Sequence, residues 1–303
     1  MDRSHREELR ALARGRIRFD SPMAQHTTLC VGGPVEALYE AKDLEDLARV
    51  VAYLNRGEIP YLPLGRGSNL LIIDEGLKGV MVMLRGSLAA IKEGKKDDTH
   101  ISAGGGLGLS DLLSCCRRRG LRGLEFLAGI PGTVGGAIAM NAGAFGEEIG
   151  DRVKSLQVLT RTGERITMDR SQLKFSYRKL ELEEASVVVQ GVFTLDPDAR
   201  EGVETRISRY LKKKKATQPL DLPSAGSVFK NPPGDFAGRL IEGVGLKGKR
   251  IGGAMISEKH ANFIVNISHA TARDILALMR LAMDRVKKET GIELEPEIQV
   301  LGS

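Results

Sequence analysis

Between residues 35 and 85 the apolar positions change their spacing twice. VEALYEA reads as a strand. DLEDLARVVAYLNRG places Leu44, Leu47, Val50, Val51 and Leu54 on one helical face, with Gly57 as the stop. YLPLG, NLLII and GVMVML are short apolar runs between glycine-bearing turns, the pattern of buried strands. The segment predicts a βαββ-like unit. A second unit follows: THISAGG as a strand, LSDLLSCCRRRG as a helix ending at Gly120, SLQVLTRTGERITMD as a hairpin turning at Thr162-Gly163, and ASVVVQGVFTL as a buried strand. DPDAR, at 196–200, breaks the pattern and marks a boundary. Beyond it lie a charged helix ended by Pro219, expected strands at SAGSVFK, GGAMIS and NFIVNIS, a helix over Thr271–Thr290 with Thr271 as N-cap and Gly291 as C′, and a closing strand in IELEPEIQVLG. The class is α+β or mixed α/β, with two glycine-rich units and a C-terminal unit.

Composition narrows the picture modestly. The 303 residues are 42% hydrophobic and 28% charged, the balance of a soluble globular chain. A net charge of +6 suits an anionic ligand, but aromatics at 4% and no Trp disfavour nucleic acid. Lys212–Lys215 is the densest basic run, either a solvated helix face or a neighbour of a phosphate. Cys30, Cys115 and Cys116 form no C-x-x-C, so no zinc site or disulfide framework is expected, and a reducing compartment is. The basic N-terminus lacks an apolar h-region and reads as a short surface helix. No apolar run approaches the ~18 residues of a membrane span.

Two glycine-rich segments could carry chemistry. PLGRGSNLLI sets Gly65, Gly67, Ser68 and Asn69 between strands, where backbone N–H groups can form an anion nest. GIPGTVGGAIAMNAG sets Gly129, Gly132, Gly135 and Gly136 ahead of a helix whose first N–H groups could meet a diphosphate. Each also fits plain turn formation or close packing. AGGGLGLSDLL lacks the third glycine of a dinucleotide fingerprint, Leu109 standing in its place, and reads as a strand-to-helix turn.

Seven pieces in order, HTTLCVGGP, PLGRGSNLLI, GLEFLAGIPGTVGGAIAMNAGAFG, FSYR, PSAGSVFKNP, LKGKRIGGAMISEKHANFIVN and LEPEIQVLG, resemble the UDP-N-acetylenolpyruvoylglucosamine reductases from about His26 to Leu301. The likeness is to the shorter subclass, which lacks an extra tyrosine-bearing loop. It implies an α+β fold: an FAD-binding module of the vanillyl-alcohol-oxidase type in two subdomains, 21–86 and 87–198, after a 1–20 extension, then an α/β substrate domain over 199–303. It implies non-covalent FAD held by Thr28, by Gly65, Arg66, Gly67, Ser68, Asn69 and Leu70, and by Gly129, Ile130, Pro131, Gly132, Thr133, Val134, Gly135 and Gly136. Its catalytic positions fall on Arg178, Ser227 and Glu297, which it implies converge over the flavin ring. NADPH would reduce the flavin, and the flavin would pass hydride to the enolpyruvyl group of the UDP-sugar, a step of peptidoglycan precursor synthesis. Arg178 would stabilise the developing negative charge, Glu297 would hydrogen-bond the carboxylate, and Ser227 would deliver the proton. Tyr177, Lys230, Asn231, His260 and Asn262 adjoin these positions and suit the sugar diphosphate. No metal, nucleic acid or membrane insertion is expected, and a cytoplasmic monomer is. An FAD-dependent alcohol oxidase and a non-enzymatic nucleotide-sugar binder are the rival readings.

Overall fold

Local capping signals end the helices where the apolar pattern does, while the sheets are assembled from residues far apart in sequence. The computed structural model describes residues 1–93 and 99–302. Residues 94–98 of the expected 87–198 segment, and Ser303 at the end of the 199–303 segment, lie outside the described residues. The chain forms two units, each discontinuous in sequence. Met1–Phe19, Glu36–Arg66 and Gly79–Lys212 make the first; Asp20–Val35, Gly67–Lys78 and Lys213–Ser303 make the second.

In the first unit, α1 (Arg3–Leu12) and α2 (Leu44–Arg56) share a core with a four-stranded sheet. Its order is Arg16–Pro22, Pro34–Ala41, Leu77–Leu84, Tyr61–Leu64, the last two being parallel. Asp43 caps α2 by accepting the Asp46 N–H at 2.9 Å. Leu47, Val50, Val51 and Leu54 are fully buried against Tyr39, Val80 and Val82, worth on the order of 1.5–3 kcal/mol per side chain. A second, antiparallel sheet runs Arg165–Asp169, Val153–Leu159, Val187–Thr194, His100–Gly104, Ile91–Glu93. Its hairpin turns at Gly163, φ +86°, whose N–H reaches Thr160 O at 3.0 Å. Against it pack α3 (Leu109–Arg119), closed by left-handed Gly120, and α4 (Val134–Ala139). Cys115 and Cys116 lie in that core, where burial pushes the Cys116 thiol up to about 12. The charged helix α5 (Arg200–Thr217) begins in this unit.

The second unit packs α6 (Ala237–Gly243) and α7 (Ala272–Thr290) with an antiparallel sheet of Arg250–Ile251, Ala254–Ile256 and Ile264–Asn266. Thr271 and Asp274 form a reciprocal capping box, at 3.1 and 3.0 Å, and Gly291 ends α7 at φ +75°. Leu29, Val31 and Leu71 join Phe229, Leu240, Ile275 and Leu278 in one core.

Two expected strands differ. SAGSVFK makes only isolated bridges, Ser224 with Val265 and Phe229 with Pro296. The reason is a side chain: Asn262 Oδ1 accepts the Phe229 N–H at 2.9 Å and its Nδ2 donates to Phe229 O at 2.8 Å, in place of a ladder. The closing strand shrinks to Gln299–Leu301, parallel to Leu70–Ile72. Pro296 has no N–H to donate, and Leu294 and Ile298 turn into the core instead.

Candidate functional site

The Gly65–Leu70 loop shows why it needs glycine. Gly67 sits at φ +61°, and a Cβ there would lie 2.2 Å from the His26 carbonyl oxygen. The Thr28 N–H donates to Gly67 O at 3.2 Å, and the Thr28 hydroxyl donates to Ser224 O at 2.7 Å. Asn69 Nδ2 donates to Glu297 O at 3.1 Å, and Asn69 O accepts the Gln299 N–H at 2.9 Å. The Glu297 N–H in turn donates to Val228 O at 2.8 Å, the residue after Ser227. A hydrogen-bonded seam of the second unit thus carries Thr28, Gly67, Asn69, Glu297 and the Ser227 loop. Gly65 and Arg66 belong to the first unit, where a Cβ on Gly65 would meet Thr133 Oγ1 at 2.8 Å.

Ser227 lines a cleft of about 390 Å³ within the second unit. Asn231, His260 and Asn262 share that wall with Phe236, Arg239, Glu242 and Lys259. His260 Nδ1 accepts the Asn262 N–H at 3.2 Å, which assigns the neutral ring's proton to Nε2. Burial, reinforced by the Lys247 ammonium, holds His260 below the usual imidazole range. Asn262 faces the cleft, but its amide grips the Phe229 main chain on both sides, so its work is to hold the Ser227 loop. Lys230 is outside the cleft wall and its ammonium pairs with Glu295. Phe236, Arg239 and Glu242 join the wall without a motif to announce them; their i, i+3 spacing from the N-cap along α6 is the signal that links them.

In the first unit the 129–136 segment has two characters. Leu124–Ala128, Thr133 and Val134 are buried, while Gly129, Pro131 and Gly136 are exposed. The expected helix forms, capped by Thr133, whose Oγ1 accepts the Gly136 N–H at 3.4 Å. Its first donors are engaged, however: the Val134 N–H goes to Leu107 O and the Gly135 N–H to Gly105 O, both at 2.8 Å. What the segment offers a ligand is an open face poor in side chains, not a row of unused helix donors. Tyr177 and Arg178 form the two-residue turn of a small hairpin, Phe175–Ser176 with Lys179–Leu180. Arg178 sits at φ +61° with its guanidinium 5.0 Å from the Tyr177 ring centroid.

The basic run is not uniformly solvated. Lys214 is 3% exposed, and burial pulls its ammonium down to about 8, while Lys212, Lys213 and Lys215 are exposed. Among the described residues no cluster of His, Cys, Asp and Glu is placed to hold a metal, and no helix is long and apolar enough to cross a membrane.

Comparison with known proteins fixes the family. Residues 218–301 match the C-terminal domain of UDP-N-acetylenolpyruvoylglucosamine reductase, and residues 35–169 match an FAD binding domain. A UDP-N-acetylenolpyruvoylglucosamine reductase of Syntrophus aciditrophicus is 44% identical, covering 98% of this chain and 96% of its own. This chain belongs to the UDP-N-acetylenolpyruvoylglucosamine reductase family. The reductase family member of Geobacter metallireducens is 45% identical with 97% of each chain covered. The crystal structure of the UDP-N-acetylenolpyruvylglucosamine reductase of Thermus caldophilus superposes with a TM-score of 0.81 at 38% identity, covering 95% of this chain and 99% of that one.

Proposed function

We propose that this chain reduces the enolpyruvyl ether of UDP-N-acetylglucosamine-enolpyruvate to UDP-N-acetylmuramate, with bound FAD and with NADPH as reductant, in peptidoglycan precursor synthesis. The observation that carries the reading is the seam of the second unit, which ties Thr28, Gly67 and Asn69, expected at the cofactor, to Glu297 and the Ser227 loop, expected at the chemistry.

FAD fits the residues present. The exposed glycines at 129 and 136 with Pro131 leave a side-chain-poor face of the kind a planar ring needs. Bound FAD would supply the hydride chemistry between NADPH and the enolpyruvyl group.

The chain's own residues then manage charge and protons. Arg178 presents a planar fork of donors to the negative charge spreading into the substrate carboxylate. Glu297, if protonated, would donate a hydrogen bond to that carboxylate. Ser227 gives its proton to the carbanion-like carbon; an alcohol is a weak acid, and only an acceptor this basic makes it effective. Asn231 and His260 meet the sugar diphosphate from the cleft wall, with Tyr177 and Lys230 beside the catalytic positions. The reading includes a cytoplasmic monomer, the compartment that supplies NADPH and nucleotide sugars.

The test is an anaerobic and aerobic assay with NADPH and the enolpyruvyl UDP-sugar. Substrate-dependent NADPH oxidation without peroxide is expected; peroxide formation with a small alcohol would favour an oxidase, and a colourless protein that cannot take up FAD would favour a binding module.

A further inference from the structure

Asn141 is fully buried in the first unit and stands at φ +40° immediately after α4. The helix ends there in a Schellman turn: the Asn141 N–H donates to Ile138 O at 3.0 Å and the Ala142 N–H to Ala137 O at 2.8 Å. Glycine is the ordinary residue at such a left-handed position, so the turn alone does not ask for a side chain. Yet the side chain makes three hydrogen bonds to two other segments, the 148–150 stretch and Ser176. Nδ2 donates to Glu148 Oε2 at 2.6 Å and to Ser176 O at 3.0 Å, and Oδ1 accepts the Gly150 N–H at 3.1 Å. Both amide protons and the amide oxygen are used, and the partners leave only one orientation of the amide possible.

Ser176 is the residue before the Tyr177-Arg178 turn. Two residues past Asn141, Gly143 runs beside the guanidinium: a Cβ there would lie 2.7 Å from Glu147 O, 3.0 Å from Glu148 Cγ and 3.3 Å from Arg178 Nη1. Arg178 itself has a left-handed backbone, a conformation a non-glycine residue keeps only when its surroundings enforce it.

We propose that Asn141 is a positioning residue that fixes Arg178 for the reaction, acting through the Ser176 carbonyl. This rests on the role proposed for Arg178. The Glu148 and Gly150 bonds stabilise the fold, and the Ser176 bond serves catalysis.

The double variant Asn141→Asp/Glu148→Gln separates the two functions. The new aspartate still accepts the Gly150 N–H and also accepts from the amide that Glu148→Gln introduces, but it has no donor for Ser176 O. Thermal unfolding, anaerobic flavin bleaching by NADPH, and steady-state reduction of the enolpyruvyl UDP-sugar are measured, with Arg178→Ala alongside. The double variant is expected to unfold within a few degrees of the parent and to bleach at the parental rate. Its kcat for the sugar should fall about 100-fold, the effect of a roughly 1 Å misplacement. Parental kcat in the double variant with Arg178→Ala inactive overturns the role of Asn141 alone. Loss of folding and both half-reactions together marks Asn141 as merely structural and also overturns it. Near-parental turnover by Arg178→Ala overturns the reading beneath it. Asn141→Gly, which keeps the turn and removes all three bonds, should show the same kcat loss with a lower unfolding temperature; parental kcat there contradicts the proposal.

Discussion

The loop at 65–70 and the segment at 129–136 look alike in sequence and are built for opposite reasons. At Gly67 the protein's own backbone fills the space a side chain would take: the His26 carbonyl would be 2.2 Å from a Cβ, and φ is +61°. At Gly136 the nearest atom to a Cβ would be Thr133 Oγ1 at 3.4 Å, and the residue is exposed. A glycine announces a close approach but not which partner approaches. In the first case it is the fold; in the second no part of the fold comes closer than ordinary contact, and the proposed function gives that open space to the flavin.

That contrast can be broken by substitution. Gly67→Ala should be the most damaging, at about 3 kcal/mol or more, because strain and a backbone clash coincide; thermal unfolding and flavin retention should fall together. Removing the Asn262 amide with Asn262→Ala should cost about 2–3 kcal/mol, since the Phe229 N–H and C=O lose their partner in a buried site. Gly136→Ala should move the other way, stabilising the helix by up to about 1 kcal/mol while lowering FAD content read from visible absorbance. If Gly136→Ala keeps full flavin, the open face is not where the ring lies. The smallest effect concerns His260. Its folded pKa lies below the unfolded value, so the stability it contributes is full above about 6.5 and is lost as pH falls through the folded pKa. His260→Gln should flatten the acid limb of the unfolding-temperature profile over that window; an unchanged profile would remove the ring from the cleft's electrostatics.

How much of the molecule is legible in its sequence follows the range of each interaction. The α7 cap is legible because Thr271, Asp274 and Gly291 act within a turn of the helix. The glycine positions are legible as places of special backbone, and the ordered set of seven pieces carries the family. SAGSVFK has the pattern of a strand, yet its partner is an amide 33 residues away from Phe229. The 129–136 helix start reads as open to a diphosphate, whereas the 105–107 turn supplies acceptors for Val134 and Gly135. Lys214 is buried within a run that looks uniformly solvated. Asn141 is hidden within MNAGAFG, since its partners lie 7, 9 and 35 residues off and leave no local trace.

Among all these variants, one optical experiment bears hardest on the chemistry assigned to the Ser227 loop. The purified protein is bleached anaerobically with NADPH, the enolpyruvyl UDP-sugar is added, and recovery of flavin colour is timed in the parent and in Ser227→Ala. Both should bleach alike, and recovery in Ser227→Ala should slow by at least about 100-fold, the contribution of a positioned proton donor. Recovery at the parental rate would show that the proton comes from elsewhere and would contradict the account.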